Sequence, residues 1–250
     1  MKRSTQIALF SASFVLFAAA CGEKAAPPKA AETPAAAPAA PEAPEAVPSP
    51  PTPAILHPDG AKLAAVGPDS FTVHVVTSRG KFDMMIHRSW APKGSDRLYY
   101  LFSNYYFDGI RFFRVLNGFM AQFGSSGDPA VAKVWRDLAI SDEPTVQSNT
   151  RGRLTFAKGG PNSRTTQLFI NYGNNSQLDG AGFPPIGEVT NGMSVVDSLY
   201  NQYGDGAEMG GRGPSQTRLG MEGNAYLNKE FPKLDYIVTA RVSQEWKKTK

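Results

Sequence analysis

Cysteine is nearly absent from this 250-residue chain, and Cys21 is the only one. A single thiol closes no intrachain disulfide and builds no cysteine-ligated zinc site. Histidine is scarce too, with three copies. His57 falls in a proline-rich stretch, and His74 and His87 fall on outward positions of an alternating pattern, so none is placed for a Ser-His-Asp arrangement. No histidine pair and no Asp/Glu run stands at ligand spacing, so no metal is expected. A large charge surplus is also missing. Lys and Arg number 26 against 22 Asp and Glu, and without residues 1–20, which hold Lys2 and Arg3, the balance is 24 against 22. That excludes the concentrated basic stripe a nucleic-acid partner needs. The glycine-rich stretch Gly204 to Gly213 lacks the Lys-Ser/Thr ending of a phosphate loop, so it reads as a mobile or irregular loop.

Apolar runs long enough to cross a bilayer are wanting as well. The run Ile7 to Ala20 follows Lys2 and Arg3 and ends in small residues before Cys21. It falls short of the roughly 20 residues that a spanning helix needs, so residues 1–20 read as a cleaved export signal rather than a membrane helix. The sequence Leu16-Phe17-Ala18-Ala19-Ala20 before Cys21 resembles the lipobox of bacterial lipoproteins, with Ala18 where leucine is commoner. The resemblance implies a diacylglycerol on Cys21 and thus a membrane-lipid partner; ordinary secretion, with a secreted or soluble periplasmic protein, is the alternative. Gly22 and Glu23 lack the aspartate associated with inner-membrane retention. In a host with two membranes this favours the outer membrane, facing the periplasm.

What is abundant next is proline and alanine. Residues 25–54 hold ten prolines and twelve alanines with hardly a large apolar side chain, too little buried surface to offset the entropy of ordering. Residues 21–67 are therefore expected to be a lipidated cysteine and a disordered tether. At about 3.1 Å per residue, thirty such residues reach on the order of 90 Å at most.

From Phe71 the pattern has period two. Phe71, Val73 and Val75 alternate with Thr72, His74 and Val76, and Phe82, Met84 and Ile86 with Asp83, Met85 and His87, with Gly80 in the connecting hairpin. Pro92 opens a helix in which Leu98, Leu101, Phe102 and Tyr105 recur at helical spacing, and Asp108-Gly109 ends it. Short apolar runs follow at 111–116, 119–122, 153–156, 168–171, 186–189 and 236–242. A second helix is expected over about Ser194 to Tyr203, with Ser194 and Asp197 as a capping box. Many short strands and few helices indicate a mainly β fold, a closed barrel or a sandwich, in one domain over 68–245 with a basic tail at 246–250.

Two blocks mix apolar and amide side chains densely: Phe112-Phe113-Arg114-Val115-Leu116-Asn117-Gly118-Phe119-Met120-Ala121-Gln122, and Leu154 to Asn162 running on through Thr166-Gln167-Leu168-Phe169-Ile170-Asn171. With Leu178-Asp179-Gly180 and Gly187-Glu188-Val189 in the same order, the chain resembles the cyclophilin family of peptidyl-prolyl cis/trans isomerases over about residues 70–243. The resemblance implies a closed antiparallel β-barrel of about eight strands with two covering α-helices. It also implies an isomerase that acts without a cofactor on proline-containing polypeptides, assisting the folding of envelope or periplasmic proteins. The expected molecule is a monomer. A proline-recognising chaperone or assembly factor with little turnover is the alternative.

Amide resonance sets a rotation barrier of about 18–20 kcal/mol, and twisting the bond localises a lone pair on nitrogen. A fixed guanidinium that donates only as resonance is lost stabilises the transition state over the ground state. By resemblance Arg114 has this part and Gln122 helps hold it. Phe119, Met120, Phe169, Leu178 and Phe183 are expected to wall the proline pocket, with the backbone near Ala157 and Lys158, and Gln167 close by. Taken singly, Phe119, Met120 and Phe169 would more often be barrel core. The coincidence of dispersed blocks moves them to the site.

The match also departs from the family. Phe113 stands where histidine is usual, Lys158 replaces an asparagine, Thr165-Thr166 a Gly-Ser pair, and Phe183 falls on a position often held by histidine. Gln177 precedes Leu178 where many members carry a tryptophan that hydrogen-bonds cyclosporin, which implies weak sensitivity to that inhibitor. The stretch Tyr203 to Phe231 is longer than the minimal family ending and is expected to decorate one barrel edge.

Overall fold

The computed structural model describes residues 51–247. The export signal, Cys21, the tether up to residue 50 and residues 248–250 lie outside the described residues. The elements are, in order, α1 (Pro53–Leu56), α2 (Gly60–Leu63), β1 (Ser70–Thr77), β2 (Gly80–His87), α3 (Pro92–Ser103), β3 (Arg114–Leu116), β4 (Met120–Phe123) and α4 (Pro129–Arg136). Then come β5 (Arg153–Phe156), β6 (Leu168–Asn171), α5 (Gln177–Gly180), β7 (Pro185–Asn191), α6 (Met193–Asp197), a 3-10 turn (Ala207–Met209), α7 (Gln216–Glu230) and β8 (Ile237–Trp246).

Eight strands form one sheet in the order β3-β4-β6-β5-β7-β2-β1-β8, and every pairing is antiparallel. Among the described residues no ladder joins β3 to β8. An isolated bridge, Arg111 to Tyr236, and the Phe112 amide donating to the Asp235 carbonyl link the two edges. Alternation decides what each strand buries. Phe71, Val73 and Val75 of β1 meet Phe82, Met84 and Ile86 of β2 in the core, while His74 points outward to Asp83 at 2.7 Å. His87 also points outward, against Glu188 and stacked on Trp90.

Several expectations need correction. Residues 51–67 are not loose chain: Ile55 is buried, its carbonyl accepts from Trp135 Nε1 at 2.9 Å, and Tyr100 Oη donates to the Ala54 carbonyl. Burial of one isoleucine and two fixed carbonyls outweighs the proline-rich composition locally. Helix α3 stops at Ser103, because Tyr105 adopts φ 63° and leaves the helical course half-exposed. The helix expected over 194–203 shrinks to α6, which starts after Gly192 without a side-chain cap. The Asp235 carboxylate takes the Tyr200 amide at 2.7 Å as well as Ser78 Oγ and Arg79 Nε, and so draws the chain out of the helix.

Helices α4 and α7 have no counterpart in the sequence expectation, and α7 is the longest helix among the described residues. It bends at Gly223, whose φ of 62° and whose close approach to the Gly127 carbonyl, 2.1 Å from where a Cβ would stand, both require glycine. Leu219, Tyr226 and Leu227 of α7 form a second apolar cluster with Leu234 and Phe113. Helix α7 thereby covers Phe113, which is 1% exposed.

Candidate active site

Strand alternation builds the site on the outer face of β3, β4 and β6. Val115, Ala121, Phe123, Leu168 and Ile170 point into the core, which turns Arg114, Met120, Gln122 and Phe169 the other way. Register then aligns them, since Arg114 pairs with Gln122, and Gln122 with Phe169. A one-residue slip would send the row into the barrel.

A cleft of about 510 Å³ opens over this row. All ten site residues expected from the sequence line it: Arg114, Gln122, Gln167 and Lys158, with Phe119, Met120, Ala157, Phe169, Leu178 and Phe183. Met120 and Phe169 are almost fully buried, yet they belong to the cleft wall and not to the barrel core. Phe169 and Phe183 meet edge to face with centroids 6.2 Å apart. Arg114 donates from Nη1 to Gln122 Oε1 at 3.0 Å, and Gln122 Nε2 donates to Gln167 Oε1 at 2.8 Å. This chain of donors sets the amide orientation of both glutamines. The guanidinium also lies 5.9 Å from the Phe119 ring centre.

The loop walls are held by buried polar groups. Arg97 donates to the carbonyls of Leu138 and Thr165, and burial lowers its pKa to about 10. Arg164, fully buried, pairs with Glu143 at 2.9 Å and donates to the Ser141 carbonyl. Lys158 reaches Asp142 at 3.2 Å and stands 5.3 Å over the Phe183 ring, so its side chain contributes to the cleft as well as its backbone. On the opposite wall Asn149 donates to Asp179 and to the Phe183 carbonyl and accepts from Thr155. This explains the aspartate of Leu178-Asp179-Gly180: it fastens the loop that carries Leu178 and Phe183.

Sequence reasoning missed Asn149, and it missed Ser163, Thr165, Met209 and Gln216, which line the cleft. It also missed Asp205, which accepts from Arg114 Nε at 2.6 Å and Nη2 at 3.3 Å. That hydrogen bond, together with the positive charge, holds the Asp205 carboxyl below the usual carboxylate range. Asp205 sits in the stretch read as a mobile or irregular loop. The loop is irregular but tied down, with a bridge between Gly206 and Gly213. Gln177 is exposed at the start of α5 and does not line the cleft. None of the three histidines lines it either. Among the described residues no group of three or more His, Cys, Asp or Glu is placed to hold a metal ion.

An eight-stranded antiparallel barrel thus carries an apolar cleft on its outer face, lipped by an arginine and two amides. Residues 72–217 match the family described as cyclophilin type peptidyl-prolyl cis-trans isomerase/CLD, and the chain belongs to that family. It is a peptidyl-prolyl cis-trans isomerase. A peptidyl-prolyl cis-trans isomerase of Acinetobacter baylyi is 30% identical over 134 residues, 52% of this chain and 71% of that one. Peptidyl-prolyl cis-trans isomerase CYP18-1 of Arabidopsis thaliana is 32% identical over 137 residues, 52% of this chain and 81% of that one. The crystal structure of a cyclophilin type isomerase of Cryptosporidium parvum shares the fold with TM-score 0.53 and 20% identity, over 70% of this chain and 99% of that chain.

Proposed function

We propose that the enzyme isomerises Xaa-Pro bonds of unfolded or flexible proteins in a bacterial cell envelope, with Arg114 stabilising the twisted amide. The observation that carries the reading is Arg114 held by Gln122 at the lip of a cleft lined by Phe119, Met120, Phe169, Leu178 and Phe183. A second Cryptosporidium parvum structure, with TM-score 0.51, was determined in the presence of the dipeptide Ala-Pro, and a proline ring is the ligand this apolar wall suits. As the bond twists, the nitrogen gains a lone pair and Arg114 donates to it or to the neighbouring carbonyl. The surrounding rings exclude water, which strengthens that hydrogen bond. No nucleophile and no proton relay takes part.

The envelope placement rests on Lys2, Arg3, the apolar run to Ala20 and Cys21. In this reading Cys21 carries the lipid, and the Pro/Ala-rich chain after it spaces the barrel from the membrane. A protease-coupled or NMR exchange assay on a short Ala-Pro peptide tests the chemistry. Arg114→Ala is expected to lower kcat/KM by about 10²–10³-fold, in the range of losing one preorganised donor. Unchanged turnover with an intact fold would place the catalytic group elsewhere. Mass spectrometry of the mature N-terminus tests the anchor, and an unmodified Cys21 makes the protein a secreted isomerase.

A further inference from the structure

The segment 203–213 contributes no strand to the barrel, yet it reaches the cleft from the side opposite Gln122. Asp205 takes two N–H groups of Arg114, from Nε at 2.6 Å and Nη2 at 3.3 Å, while Gln122 takes one from Nη1 at 3.0 Å. Arginine carries five N–H donors in a rigid plane, so three are engaged and two remain for a bound chain. The Arg114 side chain is 16% exposed and that of Asp205 33%, so solvent screens the pair less than it screens an open surface pair.

Asp205 is itself held in place. Its Oδ1 accepts from the Gly206 amide at 2.8 Å and its carbonyl from the Gly213 amide at 2.7 Å. At Gly211 a Cβ would stand 2.1 Å from that same carbonyl, so only glycine fits. Glu208 ties the loop to the start of α7, accepting from Ser215 Oγ at 2.6 Å and from the amides of Gln216 and Thr217. Burial pushes the Glu208 carboxyl up, but these bonds outweigh it and bring it down to about 2. Helix α7 in turn packs on Phe113, the neighbour of Arg114.

We infer that Asp205 is the positioning residue of this active site, clamping one edge of the Arg114 guanidinium so that its two remaining N–H groups are preset for the twisting amide. The inference rests on the catalytic reading of Arg114. A clamped guanidinium needs no reorganisation when the amide twists, and its benefit falls on the transition state. The carboxylate meets only the arginine and the loop backbone, which makes it a partner of the catalytic group and not a substrate contact.

The test measures kcat and KM on an Ala-Pro peptide, together with the Arg114 Nε–Hε NMR resonance, in the full chain. Asp205→Asn, which retains the acceptor for the Gly206 amide, is expected to lower kcat about tenfold or more with KM within about twofold. The Nε–Hε resonance moves at the same time. Glu208→Gln, which weakens the loop anchor one step removed from the clamp, is expected to lower kcat and to move the resonance less than Asp205→Asn does. Wild-type kcat in Asp205→Asn, while Arg114→Ala is inactive, overturns the inference. So does a loss of the same size in Glu208→Gln with the resonance unmoved, which would assign the effect to loop structure. Full turnover in Arg114→Ala is the distinct result that removes the reading beneath it.

Discussion

Asn149 donates twice to one oxygen of Asp179, from its backbone amide at 2.9 Å and from its side-chain amide at 2.8 Å. Both donors and the Ser148 hydroxyl converge on the carboxylate of the loop that carries Leu178 and Phe183 of the cleft wall. Asn149 is fully buried, so removing its side chain strands the Thr155 hydroxyl and the Phe183 carbonyl without their partner. Asn149→Ala is expected to cost roughly 1–3 kcal/mol of stability, the usual penalty for unsatisfied buried polar groups. Because the freed loop carries Leu178 and Phe183, KM should rise more than kcat falls. Chemical denaturation and peptide kinetics on the variant check both.

The same contact gives a pH dependence of known sign. Burial raises the Asp179 carboxyl, but bonds from Ser148 and Asn149 outweigh it and leave the pKa below its ordinary value. A depressed folded value stabilises the native state at pH above the unfolded value, about 3.9, and the contribution is lost as pH falls through the folded one. The protection factors of the amides of residues 175–183, exchange rates corrected for their intrinsic pH dependence, are therefore expected to be steady from neutrality to about pH 4 and to fall below it. Asp179→Asn should remove that acid step.

Turnover is expected to be flat between about pH 5 and 8, where histidine is the side chain that ordinarily titrates, because no histidine lines the cleft. A bell-shaped profile of kcat/KM across that range would show that a proton-transfer group takes part.

Phe113 is the only barrel-side residue of the second apolar cluster that neighbours Arg114 in sequence, and it is 1% exposed. Phe113→Ala is expected to destabilise the fold by about 3–5 kcal/mol through the cavity it leaves. As α7 loosens, Asp205 should lose its hold on Arg114, so kcat falls at temperatures where the barrel is still folded. Thermal melts followed alongside activity separate the two effects. Phe113→His, which restores the family's usual residue, should also destabilise, since it buries an imidazole among Leu219, Tyr226, Leu227 and Leu234.

Cyclosporin is expected to bind the wild type far more weakly than nanomolar. Gln177 is exposed beside the cleft residue Leu178 and carries no indole N–H donor. Gln177→Trp should tighten inhibition measurably, and nanomolar inhibition of the wild type would contradict the alignment at this position.

The strands and the central row are legible in the amino-acid order, because period-two alternation records which face a residue takes. Phe71, Val73 and Val75 declare a core face, and Arg114, Gln122 and Phe169 stand in dispersed motifs that the register aligns. Helix α7 is not legible in this way. Gly220 and Gly223 interrupt its pattern, and its apolar face is answered by Phe113, more than a hundred positions away. The ordered entry at Ile55 is hidden for a similar reason, since its stabilising partners are Trp135 and Tyr100 and not its neighbours.

By itself, then, the sequence determined the barrel's alternation, the arginine and amides of the cleft, and the aromatic wall. Each of these is carried by local spacing that a strand converts directly into a face. Only the tertiary structure decided that Asp205 meets Arg114 across 91 positions and that Asn149 secures the wall through Asp179. A carboxylate or an amide looks the same in sequence whether it faces water or a guanidinium. Its partner is chosen by how the loops close over the finished barrel.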